Sequence, residues 1–152
     1  MISLPAGYAI KALGVLAEAN GGPLLIRQIA ERTGLPTPYL AKIANTLAQR
    51  GVLRTQRGVG GGVRLMDEAS SITLYRICEA LDDPITQRLC MLRTEKCSDE
   101  RACPAHQFWT AQRDRQLQFL QGTTLQDVAA FETRQRQLHG VTAIDPRTLR
   151  TS

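Results

Sequence analysis

Apolar residues recur along the first fifty positions with the spacing of amphipathic helices. Over 5–18 these apolar residues lie on one face of a predicted helix, which is ended by the Asn-Gly-Gly-Pro run 20–23. A shorter second helix is predicted to end at Gly34, and a third extends to about Arg50. Two helices joined by a short turn that contains glycine are the arrangement of a helix-turn-helix.

The third predicted helix begins after a Leu-Pro-Thr-Pro run. Thr37 is predicted to cap this helix and Pro38 to be its first residue. The second helix of a helix-turn-helix enters the DNA major groove with its first turns. The side chains predicted to contact bases there are Thr37, Tyr39, Lys42 and Asn45. Arg27 and Gln28, at the start of the supporting helix, are suited to phosphates.

Beyond position 51 the pattern becomes extended. Residues 52–55 and 62–65 bracket a glycine-rich loop, which predicts a β-hairpin and therefore a wing. The candidate DNA contacts in this wing are Arg54, Arg57, Gly58, Gly60, Gly61 and Arg64. Glycines let the backbone approach the duplex while arginine enters a minor groove. A nucleotide-binding loop is not indicated, because the glycines lead into a strand and not into a helix.

Four further segments follow the wing. A helix is predicted from Ser71 or Thr73 to about Leu81, and the polar stretch 86–102 is predicted to be a loop. A long helix over 104–120 and a last helix over 124–138 precede a tail predicted to be disordered from 139. The predicted fold class is mainly α with a small β-hairpin. The chain is predicted to divide into a winged helix-turn-helix (1–83), a cysteine-bearing loop (84–103), a dimerisation helix with a C-terminal helix (104–138), and the tail (139–152).

Charge separates the predicted DNA-binding region from the rest of the chain. The net charge is +5 over 152 residues, and the window 24–66 alone carries seven basic residues and one acid. A local basic excess is typical of a surface that binds a polyanion. The sequence shows no membrane-spanning run and no basic signal-peptide start, so a cytoplasmic protein is expected.

Three cysteines fall within fourteen residues of the predicted loop. Cys90, Cys97 and Cys103 have six and five residues between them, and His106 follows three positions after the last. Clustered thiolates are soft ligands for an iron–sulfur cluster or zinc, and redox-active thiols are a further alternative. The close cysteine pairs of structural zinc sites are absent from this segment. Cys103 is predicted at a helix N-terminus, and Cys78 is predicted to be a buried small apolar residue.

The chain resembles the Rrf2 family of bacterial winged-helix regulators. The resemblance covers about residues 1–130 and lies in the stretches YAIKALGVLA, IRQIAERTGLPTPYLAKIANTLAQRGVL, TQRGVGGGVRLM, ITLYRICEALD and CPAHQFW. It implies a homodimer built on the long helix that binds an imperfect palindrome in double-stranded DNA. Cluster-binding members use the three loop cysteines, which correspond to Cys90, Cys97 and Cys103.

The fourth ligand distinguishes cluster types within the family. In 2Fe–2S members it is the histidine that corresponds to His106. In 4Fe–4S members it is an aspartate from the partner's first helix, and the matching stretch 5–8 here has no carboxylate. The resemblance therefore favours 2Fe–2S and leaves 4Fe–4S open.

The function predicted is a DNA-binding transcription regulator that senses redox state, nitric oxide or iron. One alternative is a winged-helix regulator with structural zinc, or with a signal from a metabolite or partner protein. A second alternative is an iron–sulfur or redox carrier. An enzyme is not expected, because the sequence offers no acid–base pair, no nucleophile–base pair and no nucleotide loop.

Overall fold

The computed structural model describes residues 1–87, 89–90, 98, 100 and 103–139. This part of the chain contains six α-helices, one 3-10 helix and one two-stranded antiparallel sheet. Their bounds are α1 Leu4–Glu18, α2 Ile26–Thr33, α3 Thr37–Gln49, β1 Leu53–Gln56, β2 Gly62–Leu65, α4 Leu74–Ala80, the 3-10 helix Pro84–Thr86, α5 His106–Gly122 and α6 Leu125–His139. The predicted fold class is confirmed. Within the described ranges, no helix is long and apolar enough to cross a membrane.

Helix α1 lies at the centre of the core. It contacts α2, α3, α4, α6 and strand β2, and its alanines and leucines are buried among them. Gly14 allows α6 to approach closely, because a Cβ there would lie 3.3 Å from Val128 Cγ1. The apolar periodicity that predicted α1 thus reflects a helix that is covered on most of its sides.

The turn between α2 and α3 is held by one buried threonine. Thr33 Oγ1 donates to Ile29 O at 2.7 Å and accepts from Leu35 N at 3.3 Å, while Lys11 Nζ donates to Thr33 O at 3.0 Å. Gly34 closes α2 in the left-handed conformation, with φ of 70°. These contacts fix the angle at which α3 leaves α2.

The hairpin is docked onto the connection between α1 and α2. Leu53 pairs with Leu65 and Arg54 with Arg64 in the antiparallel register. Leu24 and Val63 exchange backbone hydrogen bonds of 3.0 and 2.8 Å, and Leu65 N donates to Gly21 O at 2.8 Å. The base of the wing is therefore fixed to the helical core by main-chain hydrogen bonds.

Helix α6 returns the C-terminal part of the chain to α1. Leu125 N donates to Ile72 O at 2.9 Å, and Arg136 forms an ion pair with Glu18 at the end of α1. At the start of α6, Asp127 accepts from Thr124 N and Thr124 Oγ1, both at 2.8 Å. These hydrogen bonds, the backbone one foremost, lower the pKa of the Asp127 carboxyl.

Two predicted helix starts are wrong by one or two residues. Thr37 is the first residue of α3 and not its cap, because the extended Pro36 occupies the capping position without a side-chain hydrogen bond. The long helix begins at His106 and not at position 104, because Pro104 and Ala105 form a turn before it. The 3-10 helix at the start of the predicted loop was not foreseen. Most of the loop from 88 to 102, and positions 140–152 of the tail predicted to be disordered, lie outside the described residues.

Gly62→Ala tests the docking of the wing. Gly62 has φ of 140°, and a Cβ there would lie 2.4 Å from Leu24 O. Backbone strain and the clash together are expected to lower the free energy of unfolding by about 3 kcal/mol in urea titrations. Gly58→Ala is the control, because its φ of 91° carries strain but nothing lies within 4 Å. If both variants lost the same free energy of unfolding, the close contact of Gly62 with Leu24 would not contribute to the docking of the wing.

Candidate nucleic-acid interface and cysteine segment

Helix α3 presents a polar outer face opposite its buried side. Leu40, Ile43, Ala44 and Leu47 are buried in the core. Thr37, Lys42 and Asn45 are exposed on the other side, as predicted for residues that meet DNA. The periodicity of the buried residues is what sets this outward face.

Two predicted contact residues have additional roles inside the molecule. Tyr39 is half-buried and packs edge-to-face on Tyr8, with ring centroids 5.6 Å apart. Gln28 Oε1 accepts from Leu25 N at 2.8 Å, so this amide caps α2 with its oxygen. Arg27 beside it is exposed. Gln28 therefore has only its NH₂ group available for an external phosphate.

The outer face of the hairpin carries two arginines directly opposite each other. Arg54 and Arg64 form a cross-strand pair and both are exposed, while Leu53, Val63 and Leu65 face the core. Side chains of such a pair share one face of the sheet, and like charges placed there repel. The hairpin therefore holds a concentrated positive charge.

The tip of the wing is shaped by glycine. Gly61 N donates to Gly58 O at 3.0 Å and closes a tight turn over 58–61. A Cβ on Gly61 would lie 2.5 Å from Gln56 O, so a side chain does not fit there. Arg57, Gly58 and Gly60 are exposed at this tip. The turn thus exposes Arg57, the side chain of Val59 and the backbone of Gly58 and Gly60 together.

Most basic side chains of the window 24–66 have no ionic partner among the described residues. Arg50 pairs with Asp82 at 2.9 Å. In the portion of the chain that the structure describes, the other six form no ion pair: Arg27, Arg32, Lys42, Arg54, Arg57 and Arg64. Uncompensated positive charge on α3 and the wing is the electrostatic form of a polyanion-binding surface.

Both ends of the cysteine segment meet the start of α5. Trp109 Nε1 donates to Leu89 O at 2.8 Å, and Arg113 Nε donates to Gln87 O at 3.3 Å. Cys90, the next residue after Leu89, is buried. These contacts bring the first cysteine to the N-terminal turns of the helix that follows the last cysteine.

The last cysteine lies three residues before the first residue of α5, which is His106. Cys103 O accepts from His106 N at 2.9 Å across the turn at 104–105. Cys97 lies outside the described residues, and among those described no three metal-ligating side chains gather at one point. Three thiols and an imidazole nevertheless form a donor set whose chemistry fits an iron–sulfur cluster.

A buried carboxylate connects this segment to the N-terminus of α1. Asp83 is 1% exposed, and its Oδ2 accepts from Ser3 N at 2.8 Å and from Ser3 Oγ at 2.5 Å. Its Oδ1 accepts from Ile85 N at 2.9 Å. Ser3 is also the N-cap of α1. Sequence reasoning missed this pair, although serine two residues before Pro5 is a recognisable capping signal.

Cys78 is buried in the core, as predicted. Burial raises the pKa of its thiol to about 11, and the neighbouring Asp83 carboxylate adds to the increase. A thiol in this environment stays protonated and packs as a small apolar group.

Comparison with known proteins supports this geometry. A family model described as an iron-dependent transcriptional regulator, Rrf2, matches residues 2–130. The chain is 31% identical over 122 residues to the HTH-type transcriptional regulator IscR of Pectobacterium atrosepticum, covering 80% of this chain and 74% of that protein. The solved structure of CymR, the global cysteine regulator of B. subtilis, is similar with a TM-score of 0.70 and 30% identity, covering 86% of this chain and 97% of that one. T. potens IscR gives a TM-score of 0.67 and 26% identity over 87% and 88% of the two chains.

The helix-turn-helix with its docked wing is the fold of a winged-helix DNA-binding protein, and the relatives of this chain are transcription regulators, which are not enzymes. The family match covers most of the chain, and the chain belongs to the Rrf2 family of transcriptional regulators. This confirms the resemblance drawn from the sequence stretches in α1, the helix-turn-helix, the wing and the start of α5.

The pKa of Cys78 predicts how slowly this thiol is alkylated. At pH 8 a rise from 9.0 to about 11 lowers the thiolate fraction about one hundred-fold, so iodoacetamide should leave Cys78 unmodified in the folded protein. Trypsin releases Cys78 as the only cysteine in peptide 77–88, which mass spectrometry can follow. Because the unfolded thiol ionises first, the free energy of unfolding should also fall as pH rises from 9 towards 11.

Cys103, which is partly exposed, is the matched comparison for this labelling in cluster-free protein. Urea-unfolded protein should label at both cysteines. Equal labelling rates for Cys78 and Cys103 in the folded protein would contradict the buried, protonated assignment.

Proposed function

We propose that the protein is a homodimeric, cytoplasmic regulator that binds palindromic double-stranded DNA and responds to redox, nitric oxide or iron through an iron–sulfur cluster. Residues 1–83 form the DNA-binding module, 84–103 the cluster-binding segment, and 104–138 the dimerisation part. The observation that carries the DNA-binding proposal is the set of exposed basic side chains, Lys42 on α3 and Arg54, Arg57 and Arg64 on the wing, that form no ion pair with any described residue.

The DNA interface is assigned to two elements. Lys42 and Asn45 of α3 read the major groove, together with Thr37 and the edge of Tyr39. Arg57, with bare backbone at Gly58, Gly60 and Gly61, reaches the adjacent minor groove, while Arg54 and Arg64 at the base of the wing attract phosphate. Arg27 and the Gln28 amide bind phosphates of the DNA backbone and thereby hold the helix-turn-helix against the duplex.

A dimer is supported by apolar side chains that remain exposed on α5 and α6. Phe108 is 60%, Phe119 63% and Phe131 52% exposed. An apolar groove of about 370 Å³ lies between Ile2, Leu74, Ile85 and Phe119. The side-chain oxygen of Gln116, which lines this groove, is buried and has no hydrogen-bond partner among the residues that the structure describes. A second copy would cover these surfaces, and two recognition helices would then meet half-sites about one DNA turn apart.

The cluster is assigned to Cys90, Cys97 and Cys103, with His106 as the fourth ligand. This ligand set favours a 2Fe–2S cluster, and a 4Fe–4S cluster is the alternative. When bound, such a cluster supplies a group that oxygen and nitric oxide attack. His106 begins α5, and Cys90 follows the Leu89 carbonyl that accepts from Trp109, so these two residues lie near the start of α5.

The chain's own contacts explain how ligand binding by the cysteines would affect DNA binding. Fixing Cys90 and Cys103 at the start of α5 orders the segment that begins directly after Asp83, the carboxylate bound to the N-cap of α1. Helix α1 in turn packs on α2 and α3. A coupling of about 1–3 kcal/mol through this route would change DNA affinity between several-fold and a hundred-fold.

A second candidate function is a regulator whose signal is a metabolite or a partner protein. The similarity to a global cysteine regulator favours it. In that case the thiol segment would bind structural zinc or act as redox thiols. Iron, zinc and sulfide analysis of the purified protein distinguishes the two candidates.

Arg57→Gln tests the DNA interface. A duplex selected from random sequence by the wild-type protein serves as the probe, and fluorescence anisotropy gives the affinity. Loss of one arginine at the wing tip should weaken binding about ten-fold and reduce the slope of log affinity against log salt by about 1. Arg134→Gln on α6 removes the same charge outside the interface and should leave the affinity unchanged. Equal effects of the two variants would contradict the assignment.

Cys97→Ser tests the cluster. Protein purified without oxygen should show the visible charge-transfer absorption of an iron–sulfur cluster, and the variant should lose both this absorption and its iron. Cys78→Ala is the matched control and should keep both, because Cys78 is buried in the core. His106→Ala should shift the spectrum of a 2Fe–2S form. A cluster-based switch would be excluded if the wild-type protein purified without oxygen were colourless and iron-free and bound DNA with the same affinity as Cys97→Ser.

A further inference from the structure

A polar cleft of about 700 Å³ lies at the base of the wing. The end of α1 forms one wall with Asn20, the hairpin forms a second with Arg54 and Arg64, and α6 closes the third with Gln126. Its volume is that of small-molecule sites in proteins. The cleft is separate from the cysteine segment and from the outer face of α3, whose residues do not line it.

The two arginines give this cleft a specific chemistry. They are directly opposite in the strand register, so their side chains lie on the same face of the hairpin. Two guanidinium groups held side by side repel each other unless an anion lies between them. Guanidinium groups also bind carboxylate and phosphate oxygens in a two-pronged geometry that lysine cannot match.

Among the described residues, the acidic side chains that line the cleft form no ion pair with Arg54 or Arg64. Asp67 lines the cleft but forms its ion pair with Arg76, with 2.6 Å between Oδ2 and Nη1. Arg76 is held in turn by Gly51 O at 3.0 Å. Glu68 forms no ion pair with any residue that the structure describes. Within the described residues, Arg54 and Arg64 therefore have no anionic partner.

We infer that the cleft binds a small hydrophilic molecule with at least two carboxylate or phosphate groups, held by Arg54 and Arg64. The amides of Asn20 and Gln126 on the facing walls supply hydrogen bonds to hydroxyl or carbonyl groups of the same molecule. The low apolar content of the lining favours a metabolite-like anion over an aromatic or lipid ligand. Phosphates of the DNA backbone share this chemistry and are the competing ligand for the two arginines.

Binding of an anion in the cleft does not depend on the proposed function. The effect of this anion on DNA affinity does rest on the proposed function. An anion in the cleft neutralises two of the unpaired basic residues in the window 24–66. The electrostatic attraction of the module for DNA then falls, because each neutralised arginine removes about one phosphate contact. The bound molecule also joins the hairpin to α1 and α6, so it would restrict the movement of the wing.

Citrate and inorganic phosphate are the probes, each titrated at constant ionic strength into the DNA-free full-length protein. Calorimetry and thermal unfolding should show saturable binding at up to millimolar concentration, with a rise in the unfolding midpoint. Arg54→Gln/Arg64→Gln should weaken this binding at least ten-fold, and Arg57→Gln at the wing tip should not change it. Arg54→Lys/Arg64→Lys keeps the charge and loses the two-pronged geometry, so it should bind with intermediate affinity.

Two further comparisons distinguish the outcomes of this experiment. Without any anion, Arg54→Gln should unfold at the same temperature as wild type or higher, because one of two repelling charges is gone. If neither probe binds, or if Arg57→Gln abolishes binding as fully as the double variant, the cleft site is refuted and the pair serves DNA phosphates alone. If the probe binds in a protein with no affinity for any duplex, the site stands and the proposed function fails.

Discussion

The hydrogen bonds between Asp83 and Ser3 fix the N-terminus of the central helix α1 to the residue that precedes the 3-10 helix. A buried carboxylate is stable only when its oxygens are satisfied, and here two backbone N–H groups and one hydroxyl satisfy them. Ser3 caps the central helix α1, and Asp83 lies directly before the 3-10 helix that begins the cysteine segment. Removing either partner would leave a polar group unsatisfied in the core. The N-terminus of α1 is therefore held at the residue that directly precedes the cysteine segment.

The wing shows a second constraint, between charge and stability. Its base is fixed to residues 21–24 by main-chain hydrogen bonds, which lets the outer face carry Arg54 opposite Arg64. An isolated two-stranded hairpin is only marginally stable in water, and a like-charged pair weakens it further. The docking on α1 and α2 compensates for this. A stable platform thus presents positive charge that would destabilise the hairpin alone.

Sequence reasoning located the helices, the hairpin and the basic surface because each depends on local periodicity or turn chemistry. It placed Cys78 correctly in the core from its apolar neighbours. It missed the start of α5, since Pro104 suits both a first helical turn and the turn that is observed. It also missed the partnership of Ser3 with Asp83 and the cleft at Arg54, because these join positions far apart in the chain. It also missed the contact of Tyr39 with Tyr8, because this contact comes from the packing of α3 on α1.

The hydrogen bond from Trp109 to Leu89 has a practical consequence. The chain contains one tryptophan, and its indole N–H is bound to the carbonyl that precedes Cys90. All tryptophan emission therefore originates at the junction between α5 and the cysteine segment, and none originates at α3 or the wing. The protein carries a built-in optical reporter, whose signal separates events at this junction from contacts made on the duplex.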